Sequence, residues 1–180
     1  MIGDKIKKQK GFTLLEILIS ISIFTASILM ITQIFLKINE GQRNIIAAQN
    51  VQESMKYAFE VMSKEIRNPM RDTAGTCVSV DKVYEDVSNT TLSFLNQSGE
   101  CVTYRLLVDG EGVSRLAVSR GASGQVYVTP DDIEVNNLWF EIDDTNQERV
   151  TMVVDVKAIG KDIDAQAMKI QTTISARLYD

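Results

Sequence analysis

The hydrophobic pattern changes twice along the chain. From Ile17 to Leu36 there are 20 residues without a charge, bounded by Glu16 and Lys37. At about 1.5 Å per residue such a helix spans roughly 30 Å, the thickness of a bilayer's hydrocarbon core. Its polar members, Ser20, Ser22, Thr25, Ser27, Thr32 and Gln33, do not forbid that reading, because hydroxyls can bond back to the helix backbone. After Lys37 the pattern becomes amphipathic. Ala48, Val51, Met55, Ala58, Phe59, Met62 and Ile66 recur at steps of three and four, with Gln49, Gln52, Glu53, Lys56, Glu60, Ser63 and Lys64 between them. Asn68-Pro69 predicts the helix end, since proline disfavours a helical residue before it. One long helix over 12–68 is expected, with Gly41 as its only plausible point of flexure. The stripe on its second half could seam a coiled coil, but its breadth favours packing on a sheet.

Beyond residue 90 the period falls to two. Thr91 to Leu95 is a candidate strand. Val102, Tyr104, Leu106 and Val108 alternate with polar residues up to the hairpin signal Asp109-Gly110-Glu111-Gly112. Leu116 and Val118 continue on the next strand, which Gly121 to Gly124 ends. Leu138, Phe140 and Ile142 share a face before the turn Asp143-Asp144-Thr145-Asn146. Two further alternating runs follow, one through Val150, Met152, Val154 and Val156, the other through Met168, Ile170, Thr172, Ile174, Ala176 and Leu178. Residues 70–100 outside the first strand are turn-rich and predict no regular element. The expected fold class is α+β: a long helix packed on antiparallel sheet with one buried face, with strands enough for a second small sheet.

The segment before the apolar run adds chemistry. Residues 1–11 hold four lysines and one aspartate, and basic residues ahead of an apolar span stay on the cytoplasmic side. The rest of the chain is then expected outside the cytoplasm. Glu16 stands at the edge of the span, where a carboxylate is costly and usually functional. The plainer reading places it in the interface, favoured by the helix N-terminus.

Gly11-Phe12-Thr13-Leu14-Leu15-Glu16, with Lys7, Lys8 and Lys10 before it and the charge-free helix behind, resembles the processing site of type IV prepilins and pseudopilins. The resemblance covers about ten residues, and it implies a pilin fold. It implies that prepilin peptidase cuts between Gly11 and Phe12, that Phe12 is N-methylated, and that Glu16 pairs with the Phe12 amine of a neighbouring subunit during assembly. The expected parts are a leader at 1–11, a transmembrane and assembly helix at 12–39, an amphipathic half-helix at 40–68 and a β-rich extracytoplasmic head at 69–180. A secretory signal would need a shorter apolar region and a small-x-small site after it. Ala26-Ser27 lies mid-helix instead. A plain uncleaved single-pass anchor explains the hydrophobicity but neither the Gly-Phe junction nor Glu16. More loosely, Tyr104-Arg105, the strand ending at Arg120, Val128 to Ile133 before Leu138-Trp139-Phe140, and Met62 to Arg67 look like PilW-like minor pilins and the J-type minor pseudopilin of type II secretion. The implied role is a structural subunit, of a minor, tip-forming or priming kind, in a pilus or pseudopilus. The implied partners are the peptidase, other pilin or pseudopilin subunits, an inner-membrane assembly platform and membrane lipid.

The full chain has 19 basic and 24 acidic residues; without residues 1–11 the balance is 15 against 23. A domain this acidic repels nucleic acid, so none is expected as partner. Cys77 and Cys101, in the exported part, are expected to form one disulfide; two buried free thiols are the alternative. The chain has no histidine, which removes the commonest general base and metal ligand. With no nucleophile motif either, no enzyme, cofactor or metal is expected. Asp131-Asp132, Asp143, Asp144, Asn146 and Glu148 read as turn residues rather than calcium ligands, and Asp162 and Asp164 are weaker still. Asn89-Thr90-Thr91 and Asn96-Gln97-Ser98 match a glycosylation sequon and read as surface loops. Trp139 and Tyr127 would offer a platform to a sugar or a protein partner if exposed; otherwise they are partly buried sheet residues.

Overall fold

The computed structural model describes residues 11–145, 147–160 and 167–177. A single helix, α1 (Leu14–Arg67), carries both the charge-free run and the amphipathic stripe. Two compact units divide it, one ending at Arg43 and the other starting at Asn44. In the first unit Thr13 caps the helix: its carbonyl accepts from the Glu16 and Ile17 amides, and its hydroxyl accepts from Glu16 N at 3.2 Å. Gly41 lies inside the unbroken helix.

Among the described residues the second unit contains nine strands in two antiparallel sheets. Their ranges are β1 (Pro69–Met70), β2 (Tyr84–Val87), β3 (Thr91–Asn96), β4 (Cys101–Val108), β5 (Ser114–Arg120), β6 (Val126–Tyr127), β7 (Ile133–Asp143), β8 (Arg149–Ala158) and β9 (Met168–Ser175). The first sheet runs β1-β3-β4-β5-β6, with β2 also on β3; the second runs β7-β8-β9. β7 also lies against β2 to β5, which joins the sheets. One core holds them together: Val51, Met55, Met62 and Ile66 of the helix, Phe94, Val102, Tyr104 and Leu116 of the first sheet, and Leu138, Phe140, Met152 and Val154 of the second. This is the expected α+β pilin-like arrangement, including the second small sheet.

Three details differ from the sequence reading. Ala47, not Ala48, is the first buried alanine of the stripe, and Phe59 is only half-buried. Steps of 4, 4, 3, 4 and 4 from Ala47 to Ile66 keep one face better than a start at Ala48. Val108 is exposed although it continues the apolar alternation, because the β4–β5 hairpin outruns the core. β2 forms in the stretch read as irregular, paired along β3 from Tyr84 opposite Phe94 to Val87 opposite Thr91.

The helix ends with its last carbonyls accounted for, as buried backbone requires. Lys64 O accepts from Asn68 Nδ2 and Glu65 O from Asn68 N, both at 3.2 Å. Ile66 O accepts from the Tyr84 hydroxyl, and Arg67 O from Arg177 N at 2.7 Å. A charged tie fixes the same turn to the first sheet. Tyr104 donates its hydroxyl to one oxygen of Glu65, and Arg120 Nε donates to the other at 2.9 Å. Burial, reinforced by the Glu65 bond, pushes the Tyr104 hydroxyl well above the ordinary tyrosine range. Glu65→Ala therefore orphans a buried phenol and a half-buried guanidinium. The expected cost is about 1–3 kcal/mol, read as a lower denaturation midpoint of the full chain. Glu65→Gln, which keeps one acceptor, should cost less.

The loop between β1 and β2 is built around Asp72. Its carboxylate accepts from the Cys77 amide at 2.6 Å, the Val78 and Ala74 amides at 3.1 Å, and the Thr76 hydroxyl. These bonds, Cys77 first, hold its pKa well below the usual carboxylate range despite burial. Gly75, at φ +67°, is needed here, since a Cβ would stand 2.9 Å from Val80 Cγ2. Cys77 is bonded to Cys101 at the start of β4, with Cα atoms 5.2 Å apart. The sign of the pH effect follows. A depressed folded pKa contributes stability that is complete above the unfolded value, about 3.9, and is lost as pH falls through the folded one. The stability gap between the native chain and Asp72→Asn should thus be widest near pH 6 and shrink below pH 4. A gap that does not change down to pH 2 would contradict this.

Candidate functional site: the amino-terminal processing and assembly segment

In the first unit the residues singled out by sequence stand on one short stretch. Gly11 precedes the helix, Phe12 is 78% exposed, and Glu16 occupies the first helical turn. Glu16 gains there from the unpaired amides of the helix N-terminus. A Cβ added at Gly11 would meet nothing within 4 Å. Packing within the chain therefore does not demand glycine at this position; any demand comes from a partner that grips the extended backbone. The lysine-bearing residues 1–10 of the expected leader lie outside the described residues.

The span itself solves its polar problem internally. The hydroxyls of Ser20, Ser22, Thr25, Ser27 and Thr32 each donate to the carbonyl four residues earlier, at 2.7–2.9 Å. Each hydroxyl is thereby supplied with a partner that lipid could not offer. The apolar window of the helix has a mean hydropathy of 2.3, and none of it is buried within the fold. Exposed Leu, Ile and Phe side chains on every side of a helix need an apolar environment from elsewhere. By length and composition this helix can cross a membrane.

Asp143 is engaged in its turn by the Thr145 amide and hydroxyl and by Arg149. Among the described residues no three Asp, Glu, Cys or His side chains converge as a metal site; Asn146, Asp162 and Asp164 lie outside them. Asp131 binds the buried Arg115, whose other partner is Asp109 at 2.6 Å. Asn89 and Asn96 lie at the two ends of the β3 region; Asn96 Oδ1 accepts from the Ser98 and Glu100 amides. Tyr127 and Trp139 are both exposed, at 44% and 45%, but they stand on different sheets. The Arg115 guanidinium lies 5.4 Å from the Tyr127 ring centre, so one face of that ring is taken. The Glu65–Tyr104–Arg120 tie and the Asp72 loop were not singled out as sites by sequence.

Residues 6–32 match the model of the prokaryotic N-terminal methylation motif. No curated protein and no solved structure matches the chain. The motif match supports a type IV pilin or pseudopilin family. It implies processing by prepilin peptidase and assembly with other pilin subunits, and with the apolar helix it fits a membrane-anchored pilin.

Proposed function

We propose that this chain is a structural subunit of a type IV pilus or related pseudopilus, stored in the bacterial inner membrane and assembled through its first helix. The observation that carries this is the conjunction at residues 11–36: an unhindered glycine, an exposed Phe12, one carboxylate in the first turn, and a charge-free helix that nothing in the fold covers. A membrane anchor needs only the last of these. The peptidase removes residues 1–11, and Phe12 becomes the methylated amino terminus. The chain waits as a single-pass protein with its β-rich domain outside the cytoplasm. An assembly platform then moves the helix from lipid into a bundle of other helices. Glu16 guides that step by pairing with the Phe12 amine of a neighbour. The role is structural, and the head's likeness to PilW-like and J-type subunits favours a minor, tip-proximal subunit of a pilus or pseudopilus over a major pilin.

Processing is the direct test. Expressed in cells with and without a prepilin peptidase, the chain should lose residues 1–11 only in its presence, and Gly11→Leu should block the cut. An uncut chain in both strains would return the segment to a plain anchor.

A further inference from the structure

The outer face of the three-stranded sheet has features that neither the core nor the filament helix uses. Trp139 projects from it on β7, 45% exposed. The register places Trp139 opposite Val153 of β8, which is opposite Gln171 of β9. Next to Trp139 the strand bulges: Val135 pairs with Val156 and Asn137 with Asp155, so Asn136 is an extra residue. The bulge sets two exposed amides, Asn136 and Asn137, side by side beside the indole. Asp155, diagonal to Trp139 across the strands, has a carboxylate oxygen that is buried and without a hydrogen-bond partner. Such an acceptor is costly to leave unpaired. On the other side of the indole the hydroxyls of Thr151 and Thr173 are hydrogen-bonded to each other at 2.9 Å.

We propose that this face binds a neutral, β-linked glycan chain, with one pyranose ring stacked on Trp139. A β-linked pyranose with equatorial hydroxyls has an apolar C–H face and a rim of donors and acceptors. Trp139 offers the matching flat apolar surface; Asn137 and Gln171 offer amides that both give and accept. Asp155, half-buried on the same face, adds a carboxylate beside them. Diagonal neighbours across paired strands stand about 7–8 Å apart, so these groups fall within one or two sugar rings of the indole. Charge selects a neutral polymer: outside residues 1–11 the chain has 23 acidic residues against 15 basic, which disfavours an anionic one. The bulge and the unpaired acceptor distinguish this surface from an ordinary solvent-facing sheet.

The chain has one tryptophan, so its emission reports this site alone. Full chains in phosphatidylcholine vesicles, free of sugar detergents and of any other protein, are titrated with cellohexaose, chitohexaose and the α-linked control maltohexaose. A saturable blue shift with a β-linked oligosaccharide and none with maltohexaose is expected. In retention on insoluble cellulose or chitin, Trp139→Ala should fall at least tenfold, Trp139→Phe should keep most binding, and Asp155→Asn should weaken it. Absence of a saturable shift with either β-linked sugar overturns the proposal, and it needs no variant to fold. Equal retention of Trp139→Ala overturns it too. So does a shift caused by purified partner subunits but by neither sugar, which would make the face a protein contact.

Discussion

Glu16→Ala is expected to leave the chain cut after Gly11 and held in the membrane, yet nearly absent from filaments. Glu16 sits in the first turn of α1, where its backbone amide, and not its carboxylate, bonds to the Thr13 hydroxyl. The substitution should not disturb the fold, since no core residue lies in that part of the helix. In a helix bundle the situation reverses. In the proposed assembly the Phe12 amine of one subunit would enter apolar surroundings, and without a carboxylate it would be a buried charge with no partner. Breaking a buried pair from one side costs about 3–5 kcal/mol, which converts to a loss of a hundredfold or more in incorporation. Glu16→Gln should be nearly as poor, because the amide accepts a bond but carries no charge. Quantifying the chain in sheared filaments against the membrane fraction checks this. Incorporation of Glu16→Ala at the native level would remove charge pairing from the mechanism.

The second large effect is expected at the disulfide. Cys77 lies in the irregular loop between β1 and β2, and Cys101 starts β4, 24 residues later. Closing a loop of that length restricts the unfolded chain and contributes about 3 kcal/mol in the chain-entropy model. The loop is also held by the Asp72 bonds, by Ser79 on Glu85 and by Arg71 on Asp81 O, so the bridge adds to restraints already present. Cys77→Ser with Cys101→Ser should lower Tm by about 10 °C. The exposed Trp139 is a suitable probe of that melt, because it stands on the sheet that the bridge does not touch. Unchanged Tm in the double variant, or two titratable thiols in the native chain, would contradict the assignment.

Much of this architecture was legible in the chain because each element repeats its signal. The charge-free run, the stripe from Val51 to Ile66 and the period-two runs in β8 and β9 each report one face many times. The start of the stripe was read one residue late because Ala47 and Ala48 are equally small, and only the phase of the larger residues separates them. β2 has no alternation of its own; Tyr84 is held by its bond to Ile66 O and by pairing with β3. The Glu65 tie was invisible because its partners lie 39 and 55 residues away, and such pairs leave no local pattern. The bulge at Asn136 did leave one. Apolar positions sit at odd numbers in Ile133 and Val135 and at even numbers in Leu138, Phe140 and Ile142, a phase change that an extra residue explains. The amino-terminal motif was legible for the opposite reason: its residues are contiguous, and a glycine and a lone carboxylate stand out against a helix that needs neither.

The central claim, that this chain is a processed filament subunit, meets its most direct test in mass spectrometry of sheared filaments. The account predicts a peptide that begins at N-methylated Phe12, at trace level beside a more abundant pilin. Recovery of intact chains alone, with residues 1–11 still attached and confined to the membrane fraction, would contradict it.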